Sequence, residues 1–127
     1  MSRAVHHLAI KVADLGRAER FYTHVVGLPV LRRWDDERGR PRSVWLALGE
    51  AGTFLALERA ELCSPVRVDD APGLHCLAFG IGVAEREALR ERLRLARVII
   101  ERESDYTTYA RDPDGNLIGW SHYPDNG

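Results

Sequence analysis

The sequence predicts an α+β fold made of two βαβββ modules, about residues 3–59 and 74–123, joined by a linker over 60–73 within one domain spanning 1–127. Three observations predict it. The chain nearly repeats itself: His6-His7-Leu8-Ala9-Ile10-Lys11-Val12 opens the first half, and Leu74-His75-Cys76-Leu77-Ala78-Phe79-Gly80-Ile81 opens the second. Each opening run leads through a short turn into a helix-like stretch, and each half closes on a glycine followed by a strand, Gly52 to Glu58 and Gly115 to Ser121. A chain of 127 residues has room for one compact body with a real core but not for two ordinary domains. Duplicated units of this size point to a pseudo-symmetric fold with its site on the symmetry axis, which draws attention to His7 and His75.

In the first module, residues 4–12 read as a strand with His7, Ala9 and Lys11 on one face. Asp14 is a plausible N-cap for a helix from Leu15 to about Val26, whose apolar stripe is Leu15, Ala18, Phe21/Tyr22 and Val25/Val26. Gly27 is its natural stop. Leu28 to Trp34 is the next strand, and the charged run Asp35 to Pro41 is a turn. Strands follow at Ser43 to Leu48 and Thr53 to Glu58, separated by Gly49-Glu50-Ala51-Gly52. Charges and two prolines mark 60–73 as a linker.

The second module repeats the order. Leu74 to Val83 reads as a strand, and Ala84 to Ala96 as a charged helix with Leu89, Leu93 and Ala96 inward. Val98 to Arg102, Tyr106 to Arg111 and Leu117 to Tyr123 read as strands with mainly antiparallel pairing. Asp112-Pro113-Asp114-Gly115 has the pattern of a type I turn, proline preset at the second position and glycine at the fourth.

Bulk composition narrows the function classes. The net charge is −1, and 17 of the 18 basic residues are arginines scattered among acids, which argues against a nucleic-acid or membrane-surface partner. No stretch approaches the ~20 apolar residues of a membrane span. The polar N-terminal run enters structure at once without a signal-peptide pattern. Cys63 and Cys76 fit no zinc or redox spacing; Cys76 reads as strand filler and Cys63 as a loop thiol, so the expected location is the reducing cytoplasm.

Three segments carry a resemblance to the vicinal oxygen chelate superfamily, the group of glyoxalase I, fosfomycin- and bleomycin-resistance proteins and extradiol dioxygenases. They are His7 to Leu15 with Phe21-Tyr22 and Gly27-Leu28, then His75 on its strand, then Tyr109 to Ile118. Together they cover almost the whole chain. The resemblance implies modules whose curved sheets each form half a barrel, a homodimer that covers the open concave faces, and a small-molecule ligand. It implies that His7 and His75 stand at metal-ligand positions. It also implies a carboxylate four residues after the turn glycine, where this chain has Gly119. A further carboxylate, used in some members, falls at Ala56. Tyr109 stands where extradiol-like members hold a substrate-binding tyrosine, which the resemblance makes a catalytic candidate; a packed β-core aromatic is the alternative.

The departures matter chemically. Two imidazoles supply neither the geometry nor the negative charge of a centre with two histidines and one carboxylate. Glu58 shares Ala56's face and is the foremost substitute ligand, although it lies roughly 6–7 Å further along the strand. His122 and His6 are expected to face away, and His24 lies on the helix. Two readings of His7 and His75 stay open: ligands for a divalent ion (Fe, Mn, Ni or Zn) held weakly or incompletely, or polar groups in a metal-free pocket with Ala56, Tyr109 and Gly119. The first suits a lyase- or dioxygenase-like enzyme. The second suits a binding protein for a bulky, aromatic ligand, because the small side chains at Ala56 and Gly119 enlarge the cavity. A partner-binding module with a vestigial cavity is the third option. Trp34, Trp45, Trp120, Phe54 and Phe79 are expected mostly in the core, with Trp120 against a helix. Arg32, Arg33 and Arg111 are candidate anion binders.

Overall fold

The computed structural model describes residues 3–49, 52–62 and 70–126. Cys63, residues 63–69 of the expected linker and the Glu50-Ala51 pair lie outside them. The chain divides into two compact units, Met1–Ser64 and Pro65–Gly127, each with one four-stranded sheet.

The first unit runs β1 (His7–Val12), α1 (Leu15–Arg20), β2 (Val30–Asp35), β3 (Pro41–Ala47) and β4 (Phe54–Arg59). Its sheet order is β1-β4-β3-β2. Asp14 caps α1 as its spacing predicts, accepting the backbone N–H of Arg17 at 3.0 Å; such a cap is worth about 0.5–2 kcal/mol. The predicted helix does not stay α-helical to Val26. From Phe21 to Val25 the coil widens to a π-turn, in which Val26 N–H reaches the Phe21 carbonyl at 3.1 Å. The hydroxyl of Thr23 donates back to the Glu19 carbonyl at 2.8 Å and occupies an acceptor of the preceding turn. Gly27, at φ +90°, ends the helix as predicted.

Alternation along the strands sorts the side chains. Val12, Val44, Leu46, Leu55 and Leu57 are buried together with Leu15, Ala18, Phe21, Tyr22 and Val25, and α1 packs on β3 and β4. The other face of this sheet carries His7, Ala9, Lys11, Phe54, Ala56, Glu58, Trp45, Trp34 and Arg32.

The second unit repeats the plan: β5 (Cys76–Gly80), a short 3₁₀ turn Val83–Glu85, α2 (Arg86–Leu95), β6 (Ile100–Glu103), β7 (Thr107–Arg111) and β8 (Leu117–Ser121). Its order, β5-β8-β7-β6, matches the first unit strand for strand. In both units the first strand pairs with the last in parallel, and the other two pairings are antiparallel. Leu89 and Leu93 are fully buried, as are Thr108 and Ala110, with Ile118 and Trp120 nearly so. Ala96, expected inward, caps the helix at its C-terminus and is exposed.

A polar clamp fixes the start of α2. The Arg86 guanidinium donates to Glu103 at 3.2 Å, Thr108 Oγ1 at 3.3 Å, and the carbonyls of Ser104 and Asp105 at 2.7 and 2.9 Å. His122 donates from Nδ1 to the Asp125 carbonyl at 2.6 Å, leaving Nε2 to accept from Arg86 at 3.2 Å. His122 is therefore a buried structural group on the side away from Gly119, as its phase predicts. The predicted turn forms with Gly115 N–H on the Asp112 carbonyl at 3.0 Å. The buried Asp112 carboxylate accepts the N–H groups of Asp114 and Asn116.

Candidate functional site

The faces away from the helices carry the candidate residues in each unit. In the first unit Ala9, Ala56, Trp45 and Arg32 stand in register across four strands. Beside that row runs a chain of rings. His7 stacks on Phe54 (4.9 Å, 5° between planes), Phe54 on Trp45 (4.3 Å, 21°), and Trp45 meets Trp34 at 5.1 Å and 58°. Arg32 closes the chain, its Cζ 3.7 Å from the centre of the Trp34 ring. Each strand contributes one ring, because residues directly or diagonally opposed on one face are within aromatic reach.

His7 is exposed, and its free face points away from Phe54. The expectation that His6 faces away is overturned: its Nδ1 lies 2.9 Å from Nδ1 of His7, with the rings edge to face at 5.1 Å. His6 precedes β1, so strand alternation does not govern it. One of the two rings donates in this contact, which leaves Nε2 of His7 as its outward-facing nitrogen. Glu58 does share the face of His7 and Ala56. It pairs with Lys11, however, and His7 pairs with Phe54, which sets them roughly 13 Å apart along the strands. His24 is exposed on the π-turn.

In the second unit the matching row is Ala78, Gly119, Tyr109 and Arg102. Even the β-bulge recurs, between Val30 and Arg32 and between Ile100 and Arg102. Gly119 does not leave open space. A Cβ built there would meet the Tyr109 ring at 3.1 Å and the Cβ of Ala78 at 3.4 Å, so the neighbour that comes close is the tyrosine. Arg102 lies over that same ring, Cζ 4.5 Å from its centre. Arg111 is committed to Glu101 at 2.6 Å, and Arg33 to Glu19 at 2.8 Å. Trp120 is buried on the opposite face, as expected. Phe54 is buried too, whereas Trp34, Trp45 and Phe79 are half-buried.

The register also corrects the matching of the two halves. His7 pairs with Phe54, two residues before Ala56; Cys76 pairs with Leu117, two residues before Gly119. Cys76, not His75, therefore holds the rank of His7. His75 is exposed and precedes the first residue of β5, one step out of phase. The signal in the sequence was the apolar alternation: Leu8 and Ile10 correspond to Leu77 and Phe79. Burial pushes the Cys76 thiol pKa up, against the opposing pull of Arg102 and Arg111.

These donors do not fit a three-ligand metal centre. Ala56 and Gly119 offer no ligand atom, the Tyr109 ring covers Gly119, and among the described residues no group of three or more His, Cys, Asp or Glu side chains is placed to hold an ion. Among those residues, too, no helix is long and apolar enough to cross a membrane.

The repeated units match a known family. The model of the glyoxalase/bleomycin resistance protein/dioxygenase superfamily fits residues 4–119. The chain belongs to that superfamily, the vicinal oxygen chelate group. Among curated proteins, glutathione transferase FosA of Serratia marcescens is 26% identical over 121 residues, covering 93% of this chain and 79% of FosA. Among solved structures, the trypanothione-dependent glyoxalase I of Leishmania major is 32% identical, with a TM-score of 0.73 over 94% of this chain and 86% of that one. A mutant of the fosfomycin resistance protein FosX of Listeria monocytogenes, complexed with Mn(II) and 1S,2S-dihydroxypropylphosphonic acid, aligns at a TM-score of 0.77. It covers 96% of this chain and 94% of that one at 16% identity, a likeness of fold. Each unit is thus the βαβββ half-barrel of the superfamily.

Proposed function

We propose that this superfamily member binds a small organic ligand on the open faces of its sheets, does so without a three-ligand metal centre, and works as a homodimer. The observation that carries this reading is the pair of matched rows, whose central members are Ala56 and Gly119. A position that offers no donor atom in either repeat cannot supply the charge a divalent ion requires. The ring chain from His7 to Trp34 suits an aromatic or bulky ligand, since small-molecule sites are mostly apolar with few polar groups. Nε2 of His7 and the hydroxyl of Tyr109 are the polar groups that orient it.

The competing reading makes the chain a metal-dependent lyase or dioxygenase in which His7 and His75 hold the ion and a substrate oxygen completes the shell. The two separate on metal content. Protein purified without chelator, then offered Mn, Fe, Ni or Zn and desalted, is expected to retain well under one equivalent. Its ligand-induced thermal shifts are expected to be the same with and without EDTA. Tightly held, near-stoichiometric metal would falsify the metal-free reading. The assembly is expected near twice 14.3 kDa by light scattering, through an interface of roughly 2,000 Å² or more; a stable monomer at micromolar concentration contradicts that part.

A further inference from the structure

The two arginines that end the matched rows have no role in the fold described so far. Arg32 and Arg102 occupy the same rank, each just after the bulge of its edge strand, and each guanidinium lies over an aromatic ring. Both are exposed, and among the described residues neither has a carboxylate within ion-pairing distance. Three other sheet arginines are paired, Arg33 with Glu19, Arg59 with Asp36 and Arg111 with Glu101. The charged groups sharing the first open face are Lys11 and Glu58. On the second face Arg111 is already paired, and Cys76 feels both cations.

A guanidinium held over a ring by its Cζ keeps N–H donors at its rim, in the plane of the guanidinium. Those donors form a fork matched to a carboxylate or another planar oxyanion. Beneath Arg32 the indole Nε1 of Trp34 is buried with no hydrogen-bond partner, a donor that an oxygen brought to this end of the row would satisfy.

We propose that Arg32 and Arg102 are anion anchors, one on each open face, and that the ligand class is a planar aromatic acid: its carboxylate on the guanidinium fork, its ring against the neighbouring aromatic side chain. This rests on the reading that the open faces bind a small molecule. The coincidence of rank, bulge, underlying ring and missing acid partner in both repeats carries it.

Isothermal titration of the full chain with 1-naphthoate and with its uncharged analogue 1-naphthamide tests the proposal. The acid is expected to bind at least about tenfold more tightly at low salt, the scale of one charge-assisted hydrogen-bonded pair. That advantage is expected to fall as salt rises. Arg32→Gln and Arg102→Gln should each weaken the acid at the altered unit by about the same factor and leave the amide unchanged. The double variant should bind acid and amide alike, and Arg33→Gln, whose partner is Glu19, should match the parent. Equal affinity for acid and amide, or unaltered acid binding in both glutamine variants, overturns the anchors while leaving the small-molecule reading intact. If acid, amide and neutral 1-naphthol all fail to bind at millimolar concentration, the anchors and the small-molecule reading fall together.

Discussion

The open face of the first sheet is paved with rings, and the matched face of the second is nearly bare. Where the first unit has His7, Phe54 and Trp45, the second has Cys76, Leu117 and Tyr109. The backbone frame under both is the same: strand order, parallel outer pairing, bulge, small residues at the centre and an arginine at the end. The helix-covered faces hold apolar layers in both units, Leu55 and Leu57 in the first and Ile118 and Trp120 in the second, although the buried Thr108 stands at the rank of Val44. The two repeats thus share a backbone frame and differ in the rings that pack on the open face.

The largest test of this asymmetry removes one ring. Phe54→Ala takes out the middle of the His7–Trp45 stack and is expected to cost about 3–5 kcal/mol in urea unfolding. Leu117→Ala, at the matched rank, should lie near the lower end of about 2–5 kcal/mol because no ring chain depends on it. If Leu117→Ala proves the costlier, the contrast between the faces is wrong.

A second test concerns the tyrosine that covers Gly119. Gly119→Ala is expected to destabilise by about 1 kcal/mol, since the new methyl must push the Tyr109 ring aside. With Tyr109→Ala already in place, the same change should stabilise by about 0.5–1 kcal/mol, the ordinary benefit of replacing a strand glycine. A double-mutant cycle with no coupling would show that ring and glycine do not compete for one space.

The third contrast lies in the acids that pin the two edge hairpins. The backbone N–H of Arg40, joined by Arg59 and Arg38, holds the Asp36 carboxyl far below the usual carboxylate range despite a burial penalty. For Glu103, burial works upward, but the hydrogen bonds from Thr108 and Arg90 prevail and leave it lowered. A depressed carboxylate stabilises the fold above its unfolded pKa, and that contribution disappears as pH falls through its folded pKa. The stability gap between parent and Glu103→Gln is therefore expected to close below the ordinary glutamate value of about 4.3. The gap for Asp36→Asn should persist into stronger acid. Urea titrations at stepped pH check the order, and a gap for Asp36→Asn that closes first refutes it.

The smallest effect is a rate. In a Cys63→Ser background, Cys76 is expected to alkylate with iodoacetamide more slowly than a free thiol at neutral pH. It should gain speed only as the pH passes the usual thiol pKa, because burial has raised its own.

Much of this architecture was legible in the sequence. Asp14 and Gly27 mark the helix ends through local chemistry alone, and the two-residue period of a strand places Tyr109 with Arg111 and Trp120 opposite Gly119. His75 shows where local reading stops. The phase of β5 is set by its pairing with β8, some forty residues away, and a slip of one residue carries a side chain to the other face. The π-turn carries hydroxyl contacts from Thr23 to the carbonyls of Glu19 and Arg20 that periodicity does not register. Tyr109's closeness to Gly119 likewise needed the cross-strand register. Glycine in a strand announced a close approach but not which group makes it.

The parallel outer pairing of β1 with β4 has a kinetic consequence. The hairpins β2–β3 and β3–β4 close over short stretches of chain, but β1 must wait for β4, since Leu8 finds its partner only at Leu55. Closing a long loop before its contacts form is the slow part of building such a sheet. During synthesis on the ribosome, the strand that bears His7 is therefore the first of its unit to emerge and the last to dock. Amide protons of β1 should gain protection after those of β3 in a refolding pulse-labelling experiment, so that the imidazole reaches its place against Phe54 only when the rest of the unit is already built.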